Sequence, residues 1–95
     1  MIILMMKIHL RANWVHSLKE KRMVVKSLVK RLQNAFNISV MEVENQDLHQ
    51  RITIGICGVN LDKGQCDSSI EKIIYFIENN TDAEIIEIEE DVTKF

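Results

Sequence analysis

The stretch from Ser17 to Ala35 limits the possible folds most, because its pattern is that of one long amphipathic helix. Ser17 and Glu20 form the S-x-x-E capping box that starts a helix. Lys21 falls on the apolar side, and we expect its long stem to carry the ammonium out to water. That side must be buried against a hydrophobic layer supplied by the rest of the chain. Its apolar members are Leu18, Val24, Val25, Leu28, Val29, Leu32 and Ala35.

The opposite side of this helix is basic. Lys19, Arg22, Lys26 and Lys30 recur at helical spacing, and we call these four residues the basic stripe. The formal net charge is only −2, but it is distributed unevenly. Residues 1–51 carry nine Lys and Arg against four Asp and Glu, whereas residues 52–95 carry three against ten. This asymmetry indicates either an electrostatic binding face or two halves that neutralise each other in the fold.

The remaining segments read as four strands and a second helix. Residues 1–11 alternate from Leu4 onward, with one face apolar. Asp62 and Gln65 resemble a second cap, before a helix that places Cys66 on its buried side and stops at Asn79–Asn80. The other predicted strands are 36–44, with a bulge near Met41–Glu42, then 51–59 and the charged strand 85–90.

The order strand–helix–strand–strand–helix–strand predicts a single α+β domain over residues 1–95. With right-handed crossovers, it gives the ferredoxin-like βαββαβ sandwich with antiparallel sheet order 4-1-3-2 and both helices on one face. Strand 4 then lies beside strand 1, so that Glu87 and Glu89 face Lys7, His9 and Arg11.

The other face of this sheet carries no helix, and we call it the open face. It should present apolar side chains, and a half-apolar face on so small a domain usually finds a partner. We therefore expect a homo-oligomer, most simply a dimer. The residues predicted to be exposed there are Ile3, Met5, Thr53, Cys57 and Val59.

The topology also brings the loops 12–16, 45–49 and 79–83 to the end of the sheet where the first helix begins. This end gathers a loop cluster that could hold an anion, although Glu20 at the helix start opposes one. Trp14 could stack a nucleobase, or it could plug the end of the core, which a lone loop tryptophan does more often. The loop cluster comprises Trp14, His16, Ser17, Gln46 and His49, and Arg11 and Arg51 join the basic stripe as candidate nucleic-acid contacts.

No metal, cofactor or membrane segment is expected. The cysteines Cys57 and Cys66 lack CxxC spacing, and no Cys or Asp completes a site with His16 and His49. Two free thiols suit a reducing cytoplasm. The apolar start of the chain lacks a basic region and a cleavage site, and Lys7 interrupts it.

Two blocks of sequence resemble a known family. The segments HSLKEKR (16–22) and FNISVMEVENQDLHQR (36–51) are similar to the YlxP-like family of small bacterial proteins of unknown function. The resemblance implies a ferredoxin-like fold and, through genes that neighbour those for translation and ribosome maturation, a role near RNA or the ribosome. It implies no catalytic residues. His49 stands where the family pattern commonly has Trp, and Trp14 is a candidate to fill the same space.

These observations favour a non-enzymatic binding module, an RNA- or ribosome-associated factor that uses the basic stripe. The alternative is a self-associating or regulatory domain that binds a protein or small ligand through the open face. An acylphosphatase-like enzyme is disfavoured, because the loop ANWVH has no glycine or arginine to cradle a phosphate. Recognition of RNA by a stacking sheet is disfavoured as well, because strands 1 and 3 lack outward aromatic residues.

Overall fold

A computed structural model describes all residues, 1–95, and confirms the ferredoxin-like arrangement. The four strands form one antiparallel sheet in the order β2-β3-β1-β4. Neither helix is long and apolar enough to cross a membrane. In chain order, the elements are β1 (Ile2–Arg11), α1 (Leu18–Ala35), β2 (Ser39–Glu44), β3 (Arg51–Asn60), α2 (Lys63–Asn80) and β4 (Glu84–Lys94).

Both predicted helix caps form. The backbone N–H of Glu20 donates to Ser17 Oγ at 3.1 Å, and the Glu20 carboxylate accepts from the N–H of His16 rather than from that of Ser17. At α2, the N–H of Gln65 donates to Asp62 Oδ1 at 2.8 Å, and the Gln65 side chain accepts from Leu61. Each helix start is thus fixed by reciprocal bonds to otherwise unpaired amides.

The core lies between the sheet and the two helices. Alternate residues of β1 and β3 point into it, as strand periodicity requires. Cys66 is fully buried there, which confirms its predicted place. The other core side chains are mainly aliphatic: Leu4, Met6, Ile8, Leu10, Leu28, Leu32, Ile52, Ile54, Ile56, Ile73 and Ile77.

Three strand details differ from the predictions. β2 begins at Ser39, because Phe36 instead caps the end of α1 and packs edge-to-face on Phe76 with 5.4 Å between ring centroids. The bulge in β2 lies between Glu42 and Glu44, just beyond the predicted place. β4 runs on to Lys94, because it pairs with β1 as far as Ile2.

Candidate nucleic-acid interface

The basic stripe lies on the solvent side of α1. Lys19, Arg22, Lys26 and Lys30 are all exposed. The ion pairs of the protein involve Lys7, His9 and Lys21 as the basic partners, so the four cations of the stripe have none. They span about 16 Å along the helix axis. The stripe is therefore a row of unneutralised charge available to a polyanion.

Half of the ten acidic residues of the second half of the chain lie on a strand remote from α1. β4 carries five of the acidic residues and forms the edge of the sheet beside β1, whereas α1 packs against β2 at the other side. Glu87 stands opposite His9, and Glu89 stands opposite Lys7, as predicted. The acidic strand thus pairs with basic residues of β1 and leaves those of α1 free.

Arg11 and Arg51 do not extend the stripe. They are direct cross-strand neighbours of each other, and their alternation with Leu10 and Ile52, which are buried, puts them on the open face. Arg11 is half-buried and pairs in register with Glu84 of β4. The six predicted nucleic-acid residues therefore belong to two opposite layers, because the sequence spacing of separate elements does not tell which layer each one faces.

The loop cluster is brought together only in part. His16 and His49 line one depression of about 390 Å³, and Arg51 also lines it. Ser17 is next to it as the α1 cap, and Gln46 is exposed in the turn. Gln50 joins the loops, because its amide donates to the carbonyls of Asn13 and Val15 at 3.0 and 3.1 Å. Sequence reasoning missed Gln50, since nothing in a polar turn distinguishes it from its neighbours.

Trp14 lies apart from His49 and does not fill the same space. It lines a separate depression of about 340 Å³, together with residues of α1 and the start of the 81–83 loop. Its side chain is 43% exposed, so it does not plug the core. The fully buried Ala12 and Val15, its neighbours in the same loop, close that end of the core instead.

Lys21 does not reach water as expected. It is only 1% exposed, and its ammonium lies 2.8 Å from Glu42 Oε2. The same ammonium donates to the backbone carbonyl of Asn45. Glu42 pairs with the buried Ile54 and follows the buried Val40 by two residues, so strand alternation turns it toward the helix layer. A lysine in the first turn of α1 meets it there, so an internal partner replaces solvent.

A second polar network lies on the open face. The imidazole of His9 is hydrogen-bonded through Nδ1 to Thr53 Oγ1 at 3.1 Å and through Nε2 to Glu89 Oε2 at 2.6 Å. Asn45 Nδ2 donates to the same Thr53 hydroxyl at 2.9 Å. Thr53 is fully buried under these side chains, so its predicted exposure is wrong. Met5, Cys57 and Val59 are exposed there as predicted, and Ile3 is half-buried.

This network is the one place where metal-ligating atoms meet. Donor atoms of His9, Glu87 and Glu89 all lie within 4.8 Å of one another. Both ring nitrogens of His9 already have hydrogen-bond partners, and the two carboxylate side chains are 62% and 55% exposed. An ordinary ion-paired surface cluster accounts for this geometry, and we assign no metal to it.

Hydrogen bonds shift two pKa values on this face. The hydrogen bond from His9 lowers the pKa of Glu89 below its usual value, because it stabilises the carboxylate. The hydrogen bond to Glu44 at 3.1 Å, with its charge, raises the pKa of Lys7. On the other side of the sheet, burial raises the pKa of the Cys66 thiol, which keeps it protonated and unreactive.

The open face carries a mainly apolar depression of about 510 Å³. Its apolar lining includes Met5, Met41, Val43 and Cys57, and Lys7 with the acidic residues of β4 forms its rim. The floor is Gly55, over which Val43 lies. This arrangement provides an apolar strip with a charged border on its β1–β4 side.

The two sequence blocks that resemble the YlxP-like family meet in space. Lys21 of the first block contacts Glu42 and Asn45 of the second, and His16 shares a depression with His49. The first block and the C-terminal part of the second therefore meet around the start of α1.

Comparison with known proteins agrees with this resemblance. Residues 3–90 match the family described as "Protein of unknown function (DUF503)". The chain is 40% identical over 63 residues to "Uncharacterized protein YlxP" of Bacillus subtilis (strain 168), which covers 66% of this chain and 68% of that protein. A solved structure, "De novo designed protein Foldit4", shares the fold with a TM-score of 0.51 and 14% identity, covering 99% of this chain and 97% of its own. The chain therefore belongs to the DUF503 family of YlxP-like proteins of unknown function.

Proposed function

We propose that this protein is a non-enzymatic, cytoplasmic RNA-binding factor that docks on RNA or a ribosomal particle through the basic stripe. The observation that carries the proposal is the exposure of Lys19, Arg22, Lys26 and Lys30 without a single carboxylate partner. Cations that are already neutralised release no counterions on binding, whereas free ones do. The separation of the acidic strand β4 from α1 also supports RNA binding through the stripe.

The test is salt-dependent binding of a fluorescently labelled hairpin RNA and of purified ribosomal subunits. Four phosphate contacts predict a slope of about −3 in log K against log salt between about 50 and 200 mM. The double variant Lys26→Glu/Lys30→Glu should remove most of the binding and flatten this slope, because it replaces two attractive charges with repulsive ones.

The chain offers a matched control for this variant. Lys63→Glu/Lys72→Glu makes the same change in net charge at exposed positions of α2. It should leave binding within about twofold of wild type if the stripe is the interface, since distant surface charges are largely screened at these salt concentrations. If both double variants lost RNA affinity equally, overall charge would account for the effect, and the stripe would be refuted as the binding site.

The second candidate function is self-association or protein binding through the open face, favoured by the apolar depression around Met5, Met41 and Cys57. A pull-down from cell lysate at low and high salt, with and without nuclease, separates the two. Ribosomal particles that salt or nuclease releases support the RNA proposal. A protein partner that survives both treatments supports the open face.

A further inference from the structure

Trp14 is the only tryptophan of the chain, and the fold does not need it for its core. Its side chain is 43% exposed, and it is absent from the cluster of buried and half-buried residues that packs beneath the helices. Exposing so large an aromatic surface forgoes the stabilisation that burial would give. Its position leaves the ring available to a partner outside the fold.

The depression that Trp14 lines runs beside the basic stripe on α1. Five residues of α1 line it together with Trp14, and among them are Met23, Ser27 and Arg31. Each of these three directly follows a member of the stripe, since Arg22, Lys26 and Lys30 precede them in sequence. Neighbouring helix positions are about 100° apart around the axis, so the depression runs along one flank of the stripe over about two turns.

The lining combines a flat aromatic with hydrogen-bonding groups. Ser27, Arg31 and Asp82 can donate to or accept from the edge of a nucleobase, and the Trp14 ring can stack on its face. Arg31 is held in place, because its guanidinium donates to the carbonyl of Asn80 at 3.2 Å. The Asp82 carboxylate disfavours a phosphate at this point, which leaves the phosphates to the stripe.

We propose that this depression binds one unpaired base of an RNA whose backbone lies along the basic stripe, with Trp14 as the stacking platform. The inference rests on the proposed RNA-binding function and names its substrate class, which is a loop, bulge or single-stranded segment rather than a regular duplex. A base inside an A-form helix is already stacked and cannot reach a tryptophan ring beside its phosphates.

Because Trp14 is the sole tryptophan, intrinsic tryptophan fluorescence reports on this site alone. Two probes are titrated into the full chain, a hairpin RNA with an unpaired loop and a blunt RNA duplex of the same stem. The hairpin should quench the fluorescence, whereas the duplex should bind through the stripe without quenching. Fluorescence unchanged by a hairpin that binds by polarisation would overturn the inference.

A variant tests the energetic contribution of the ring. Trp14→Ala should weaken hairpin binding by roughly 5- to 150-fold, the value of one stacked base, and should leave duplex binding unchanged. Trp14→Phe should restore part of the loss. The matched control is Tyr75→Ala, which removes another exposed aromatic, on α2, and should change neither affinity.

The outcomes separate this inference from the proposal on which it rests. If Lys26→Glu/Lys30→Glu abolishes binding of both RNAs while Trp14→Ala changes neither, the stripe stands and the base subsite is refuted. If the stripe variant changes neither affinity, or if neither RNA binds the wild-type protein, the proposed function fails and the subsite fails with it.

Discussion

The ammonium of Lys21 holds α1 to the end of β2. It is shielded from water, it lies 2.8 Å from a carboxylate oxygen of Glu42, and it donates to the Asn45 carbonyl. Asn45 is the one non-glycine residue with a positive φ, 63°, so the lysine also supports the turn conformation that ends the strand. A charge in this position is tolerated only because both partners are present.

Removing one member of this pair should be costly. Lys21→Met keeps the aliphatic stem but leaves Glu42 without its counter-charge, and we expect a loss of about 3 kcal/mol in the free energy of unfolding. Urea denaturation measures this. Lys26→Met, on the exposed stripe, is the control and should change stability by no more than about 0.5 kcal/mol.

The double variant Lys21→Met/Glu42→Leu decides whether the pair or the lysine alone matters. It replaces the ion pair with apolar groups of similar size, so most of the lost stability should return. A double variant as unstable as the sum of the two single variants would contradict this account of the pair.

Helical periodicity placed Lys21 correctly on the apolar arc, yet the fate of its charge could not be predicted. Snorkelling is the usual solution for a lysine with a solvent route, and it depends on local geometry alone. Here the charge is instead paired with Glu42, which the register of a different element, β2, turns inward. Trp14 is a similar case. Ala12 and Val15 fill the end of the core, and the tryptophan side chain therefore remains at the surface.

At the scale of elements, the pairing of whole strands determines where a strand ends when the local sequence pattern does not. The helices, their caps and the sheet order follow from periodicity, cap chemistry and handedness, and the structure confirms them. The C-terminal end of β4 could not be predicted in this way, because Glu90, Asp91 and Thr93 show no alternation of apolar and polar residues. Backbone pairing with the long first strand extends it to Lys94.

The close contact between β2 and β3 is also a property of paired strands. Gly55 lies beneath Val43, and a Cβ at that position would come within 2.6 Å of the Val43 Cγ1 atom. Gly55 thus leaves the space that Val43 fills at the bulge.

Gly55→Ala should therefore destabilise the protein by about 1–3 kcal/mol, because the valine must move out of its place in the sheet. Gly55→Ala/Val43→Ala should recover most of that loss, as measured by thermal unfolding. The control is Gly64→Ala in the first turn of α2, where the nearest atom lies at an ordinary 3.4 Å and alanine favours the helix. A Gly55→Ala protein as stable as wild type would show that Val43 moves freely.

At the scale of the whole molecule, charge and apolar surface are divided between opposite layers. α1 turns its unpaired cations outward on the helix side, whereas the open face carries the apolar strip beside the acidic residues of β4. The division explains why a chain with a net charge of −2 can still bind a polyanion on one side. It also means that the two proposed surfaces do not compete for the same side chains.

This division predicts opposite responses to salt for the two surfaces. RNA binding through the stripe should weaken with salt, since it depends on counterion release. Two copies that meet through their open faces would bring two rows of Glu87, Glu89 and Asp91 near each other, so their association should strengthen between about 0.1 M and 1 M salt as that repulsion is screened. Sedimentation velocity at both salt concentrations measures the second effect directly.

Two methionines of nearly equal exposure locate the surface that self-associates. Met41, on the open face, is 63% exposed, and Met23, on α1, is 67% exposed. Met41→Asp should abolish the high-salt dimer, because it places a charge in the apolar strip, whereas Met23→Asp should leave the dimer intact. A wild-type protein that stays monomeric in 1 M salt, or a dimer that only Met23→Asp dissociates, would rule out the open face as the site of association.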